Sequence, residues 1–118
     1  MTKYSTQDAQ AFEIPGGTKG FIFPSHPKGE HTIAVISADG MYPEKGYALN
    51  DVCTETVYVV EGQLVVTINS KEESVNSGEL IMILPGQKYT IRGKAEAIDF
   101  ITPSWDKNQN HIVTDNHA

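Results

Sequence analysis

The side chain best placed for chemistry in this sequence is the carboxylate of Glu55. It opens the run Glu-Thr-Val-Tyr-Val-Val-Glu-Gly at 55–62, whose β-branched and aromatic residues read as a strand. Side chains alternate along a strand, so Glu55 shares a face with Val57 and Val59, and Thr56, Tyr58 and Val60 take the other. An acid on an apolar face either sits at an exposed strand end or lies in a pocket with a partner, because burying an unpaired charge is costly. Asp51, four residues earlier, falls on the same face if the chain between is extended, and Asn50 adds an amide. Two carboxylates, an amide and water form an oxygen-only donor set, which suits Mg, Ca or Mn. His31 and His111 are further potential ligands, but no spacing ties either to Glu55. Cys53 reads as a small buried hydrophobe, since no His or Asn is spaced to activate it. Arg92, the only arginine, reads as half of a surface ion pair.

The elements that must position Glu55 are short and separated by breakers. Residues 1–10 read as a polar arm and 11–14 as an edge strand stopped by Pro15, Gly16 and Gly17. An apolar run at 21–23 ends at Pro24, a turn-rich loop covers 25–30, and 31–37 alternates as a strand. Ala38, Asp39 and Gly40 predict a turn, and 41–49, with Pro43 and Gly46, an irregular or bulged strand. After 55–62 the chain is expected to turn at Gly62 and continue through strands at 64–69 and 72–75. The nearly all-apolar run at 79–84 predicts a strand buried on both faces, broken by Pro85 and Gly86. Strands at 89–92 and 95–101 follow, divided by Gly93. Trp105, beyond Pro103, is expected to pack across the barrel end or a dimer interface, with a pocket lid as the alternative. No sustained helical period occurs, so the pattern predicts an all-β sandwich or barrel.

A length of 118 residues predicts one domain over 1–118, with a core at about 20–103. A single cysteine rules out an intramolecular disulfide and fits a reducing compartment. The first residues lack an apolar signal core, and no apolar run reaches bilayer length, so a cytoplasmic protein without membrane contact is expected. A net charge of −6, with nine scattered basic residues, argues against binding nucleic acid.

Gly46, Glu55 and Gly62 resemble the first motif of the cupins, and Gly78, Leu84, Pro85 and Gly86 resemble the second. The resemblance implies a single-domain, double-stranded jelly-roll barrel of the type-2 cupin class, commonly dimeric. The ending Thr102-Pro103-Ser104-Trp105 is similar to that of some small bacterial cupins. Most cupins hold a divalent metal through two histidines ahead of the glutamate, the glutamate itself and a histidine after the second motif. Here the corresponding stretches read Ala48-Leu49-Asn50-Asp51 and Tyr89, so the resemblance keeps only Glu55 of that ligand set. No cofactor is expected; a divalent metal, if one binds, would use Asp51 and Glu55.

In a cupin-like barrel Glu55 and Tyr89 would both look inward, the phenol donating to the carboxylate. Three readings follow. The first is a small-molecule-binding protein without nameable catalysis, its ligand oriented by Asn50, Asp51, Glu55 and Tyr89 against walls of Val57, Val59, Leu64 and Met82. The second is an isomerase, epimerase or other sugar- or acid-processing enzyme, with an atypical metal or with Glu55 as base and Tyr89 as acid. The third is a structural or regulatory dimer with a vestigial pocket. The apolar strand at 79–84 needs cover on its outer side, which favours a homodimer.

Overall fold

β-Branched and aromatic residues dominate two long strands, β5 (Thr54–Ile68) and β8 (Tyr89–Thr102), which pair with each other along their length. In the computed structural model, which describes residues 2–114, they are the spine of a curled antiparallel sheet. On the free edge of β8 lie β3 (Thr32–Tyr42), then β2 (Thr18–Ile22), then β1 (Gln10–Ile14). On the other edge of β5, β7 (Leu80–Ile83) pairs with the first half and β6 (Lys71–Asn76) with the second. A short strand, β4 (Tyr47–Asn50), meets β8 at Tyr89, and β9 (Asn110–Val113) pairs with β4. The sheet thus extends on both sides of the core expected at 20–103. It is an all-β jelly-roll barrel.

Three expected turns are absent because glycine carries the strand through them. Residues 38–40 continue β3, with Gly40 opposite Gly93. Gly62 is internal to β5 and Gly93 internal to β8, where the two strands bend and approach closely. A Cβ on Gly62 would stand 2.3 Å from the Lys94 carbonyl oxygen, and one on Gly93 would stand 2.5 Å from that of Gln63. Only glycine fits such an approach.

A bulge decides which residues of β5 face inward. The register slips between Val59 and Glu61, which leaves Val60 as the extra residue. Before it the odd positions Glu55, Val57 and Val59 are buried; after it the even positions Leu64 and Val66 are. β8 turns Tyr89, Ala95, Ala97, Asp99 and Ile101 inward. β7 corrects an expectation. It is not buried on both faces: Ile83 is buried, but Leu80, Met82 and the following Leu84 are about half exposed.

Candidate functional site

The barrel holds a partly open cavity of about 240 Å³, walled mainly by apolar side chains that include Phe12, Ile14, Ile36, Val57, Leu64 and Ile91. Its polar groups are Thr18 and a cluster of Tyr42, Glu55, Tyr89 and Asp99; Trp105 also lines it, and no Lys, Arg or His does among the described residues. The strand register builds the acidic part of that cluster. Glu55 lies opposite Ile101, and Asp99 lies opposite Val57, so the two carboxyls are diagonal neighbours on the inward face. Tyr42 ends β3 and Tyr89 begins β8; their rings lie 6.2 Å apart, centre to centre.

Hydrogen bonds running in from the tail set the state of Glu55. Gln109 Oε1 accepts from the backbone N–H groups of Val52 (3.1 Å) and Cys53 (3.0 Å), so its Nε2 must point the other way, to Asn50 Oδ1 at 2.9 Å. Asn110 Nδ2 donates to the same oxygen at 3.0 Å. The Asn50 amide is therefore oriented with its Nδ2 toward Glu55 Oε2, which it reaches at 2.7 Å. The Tyr89 hydroxyl donates to that same oxygen at 2.9 Å. Two donors thus converge on one carboxylate oxygen of Glu55.

Asp99 is in the opposite situation. Its Oδ1 is buried without a hydrogen-bond partner, although the carboxyl lies within hydrogen-bonding reach of Glu55. Burial first, then the charge of Glu55, pushes the Asp99 pKa well above its ordinary 3.8. The same two causes push Tyr42 up to about 12, raise Tyr89 well above the usual tyrosine range and raise Cys53.

Of the residues singled out in the sequence, Glu55, Tyr89, Val57 and Leu64 stand at the cavity. Four others do not. Asn50 is buried behind Glu55 and acts through it. Asp51 is exposed and bridges to His111 at 2.6 Å on the outside, because the chain bends at 51–52 rather than running extended into β5. Val59 is core but not cavity wall, and Met82 faces outward. His31 stacks on Phe100 at 5.3 Å, so neither it nor His111 joins Glu55. Cys53 is buried with its thiol donating to the Pro103 carbonyl at 3.5 Å, and Arg92 pairs with Glu72 at 3.0 Å, as expected of each. Trp105 lines the cavity.

A metal of the cupin type has a poor donor set here. Asn50 and Tyr89 turn hydrogen-bond donors toward Glu55 rather than lone pairs toward an ion. Asp51, the second expected ligand, is outside the barrel. Among the described residues no three His, Cys, Asp or Glu side chains converge.

No family model and no curated protein matches the sequence. Solved structures do match in three dimensions. Pac13, a nucleoside dehydratase, superposes with a TM-score of 0.86 at 20% identity, covering 97% of this chain and 92% of its own. KdgF from Halomonas sp. gives 0.70 at 13% identity, over 92% of this chain and 98% of its own. A mutant of the Bacillus subtilis oxalate decarboxylase OxdC gives 0.74 at 15% identity, over 93% of this chain and 32% of its own. The fold is the cupin jelly roll. At these identities the likeness concerns the cupin fold, and the chemistry has to be argued from the residues in the barrel. Asp99, Tyr42, Gln109 and Asn110 were not among the candidates that the sequence offered; of these only Asp99 carries a signal in the sequence, being an acid on the apolar face Ala95, Ala97, Ile101.

Proposed function

We propose that the chain binds a small uncharged molecule inside its barrel, without a metal, the molecule's apolar body in the cavity and its polar end against Tyr42, Glu55, Tyr89 and Asp99. The observation that carries this reading is the cavity itself. At about 240 Å³ it lies just below the usual range for ligand pockets, and it is apolar except for a wall of wired polar groups. A vestigial pocket would be expected to fill with side chains, and this one has not. With two acids and, among the described residues, no cation in its lining, the cavity disfavours a carboxylate or phosphate and favours hydroxyl, carbonyl or amide groups.

Uridine, with which a variant of Streptomyces Pac13 was solved, is an uncharged molecule of this kind and a suitable first probe. Hydroxyacetone is a smaller second one. Titration of isotope-labelled protein with each should shift the amide resonances of Val57, Leu64, Tyr89 and Asp99, and Leu64→Trp, which fills the cavity, should abolish the shifts. Protein prepared without chelator should carry well under one metal per chain. If neither probe moves those resonances, or if stoichiometric metal is present and leaves in Glu55→Gln, the reading fails.

The working unit is proposed to be a homodimer. The outward face of the sheet supports this, with Phe21, Val35, Ile98, Tyr58 and Leu80 in one row across five strands. All five are more than a third exposed, an apolar patch of the kind that marks an interface.

A further inference from the structure

Glu55 and Asp99 are two buried carboxyls side by side on the inward face, and their surroundings are unequal. Both carboxyls are buried on neighbouring strands within hydrogen-bonding reach, and among the described residues no cation lines the cavity to offset a second charge. Glu55 receives hydrogen bonds from Asn50 and Tyr89. Asp99 is placed differently, its Oδ1 being buried with no hydrogen-bond partner. Among the described residues, the other titratable groups packed around the pair are Tyr42 from β3, Tyr89 from β8 and Cys53 ahead of β5, and burial together with Glu55 raises the pKa of each, which favours its neutral form. Two unscreened carboxylates at this separation would repel strongly in a site of low polarity. One proton, kept on Asp99 and shared with Glu55, accords with this unequal wiring.

We infer that this pair is a metal-free acid and base that moves a proton between carbon and oxygen in a neutral hydroxy-carbonyl compound. The inference rests on the binding reading above and assigns the acid to Asp99 rather than to Tyr89. A carboxylate is a weak base, so the hydrogen it removes must stand next to a carbonyl whose oxygen is protonated or strongly hydrogen-bonded. Glu55 takes the proton from that carbon while the C–H electron pair forms the new C=C bond. The carbonyl π pair moves to oxygen, which receives the Asp99 proton, and the product is an enediol. Glu55 is then the acid and Asp99 the carboxylate, and transfer along their hydrogen bond restores the starting state. Return of a proton to the neighbouring carbon, with loss of one from the adjacent hydroxyl, gives the isomeric hydroxy-carbonyl compound. No oxidant, reductant or water is consumed. The carbonyl oxygen and the α-hydrogen lie close together on one side of the substrate, which suits two acids in contact.

Two measurements test the inference. Carbon-detected titration of the side-chain carboxyls should show Asp99 protonated and Glu55 ionised at neutral pH, and Glu55→Gln should lower the Asp99 pKa by at least about one unit by removing the neighbouring charge. Both acids ionised at neutral pH, or an Asp99 titration that Glu55→Gln leaves in place, would overturn the shared proton. In the second, hydroxyacetone in D₂O with the wild-type protein should exchange its carbon-bound hydrogens beside the carbonyl, with no effect of EDTA. Asp99→Asn and Glu55→Gln should each slow this exchange by about 100-fold or more, while Asp99→Asn still binds the probe. Bound hydroxyacetone that does not exchange would overturn the catalytic inference and leave the binding reading standing. Absence of binding would remove both.

Discussion

Asp99 is the residue whose environment has the largest consequence for the protein's pH behaviour. Its pKa in the folded chain is raised above the ordinary 3.8, chiefly by burial. Over the interval between those two values the native chain keeps a proton that the unfolded chain has released. Stability contributed by this group is therefore greatest below the unfolded value and declines as pH rises toward the folded one. Other carboxylates impose slopes of their own, so the difference between proteins is the informative quantity. Asp99→Asn retains the shape and removes the titration. Urea unfolding of both from about pH 4 to about pH 7 should show the mutant gaining stability relative to wild type as pH rises. Parallel profiles would mean that Asp99 ionises normally in the native state. The buried acid at position 55 was legible in the sequence because a charge on an apolar face is conspicuous. Its partner carries the same signal, but pairing the two required the register between β5 and β8.

At the level of elements, the site depends on two long strands that bend without breaking. Gly62 (φ +91°) and Gly93 (φ +131°) permit this at the point where β5 and β8 approach most closely. Gly62→Ala or Gly93→Ala should each cost about 2–4 kcal/mol, because a methyl group would meet a backbone carbonyl that cannot move aside and the residue would be held at unfavourable φ. Gly86 has a similar φ of +80° but open space around it, so Gly86→Ala should cost about 1 kcal/mol. Urea midpoints for the three variants check the contrast, and equal losses would show that backbone conformation alone matters. The sequence marked these glycines as punctuation. It could not separate a turn from a strand bend, because both demand positive φ and the difference lies in what packs opposite.

The whole molecule presents two apolar surfaces, one lining the cavity and one on the outside of the sheet. The outer one crosses β2, β3, β8, β5 and β7 at Phe21, Val35, Ile98, Tyr58 and Leu80. A homodimer formed through this face predicts that Ile98→Lys with Leu80→Lys halves the mass seen by sedimentation while the far-ultraviolet spectrum stays that of a β protein. Both substitutions point away from the core, so folding should tolerate them. A wild-type chain that sediments as a monomer, or a double variant that stays dimeric, would place the contact elsewhere or nowhere. Met82 belongs to this outer surface, and the two-faced apolar character of 79–84 reflects exposure on that side rather than burial within one chain.

By itself the sequence determined the class and the outline of this protein. Strand-forming runs between breakers and the absence of a helical period specify an all-β sandwich or barrel, since period-two patterning and turn chemistry are local properties, and the resemblance of Glu55, Gly62, Gly78 and Pro85 to the cupin motifs narrows it to that barrel. Tertiary structure decided the rest. A one-residue bulge at Val60 changed which side of β5 is buried, and a bend at 51–52 sent Asp51 outward to His111. The curl of the sheet brought Asp99 to Glu55, and β9 with its preceding turn brought Gln109 and Asn110 to Asn50. These contacts join residues more than forty positions apart, and no local pattern encodes which of them meet.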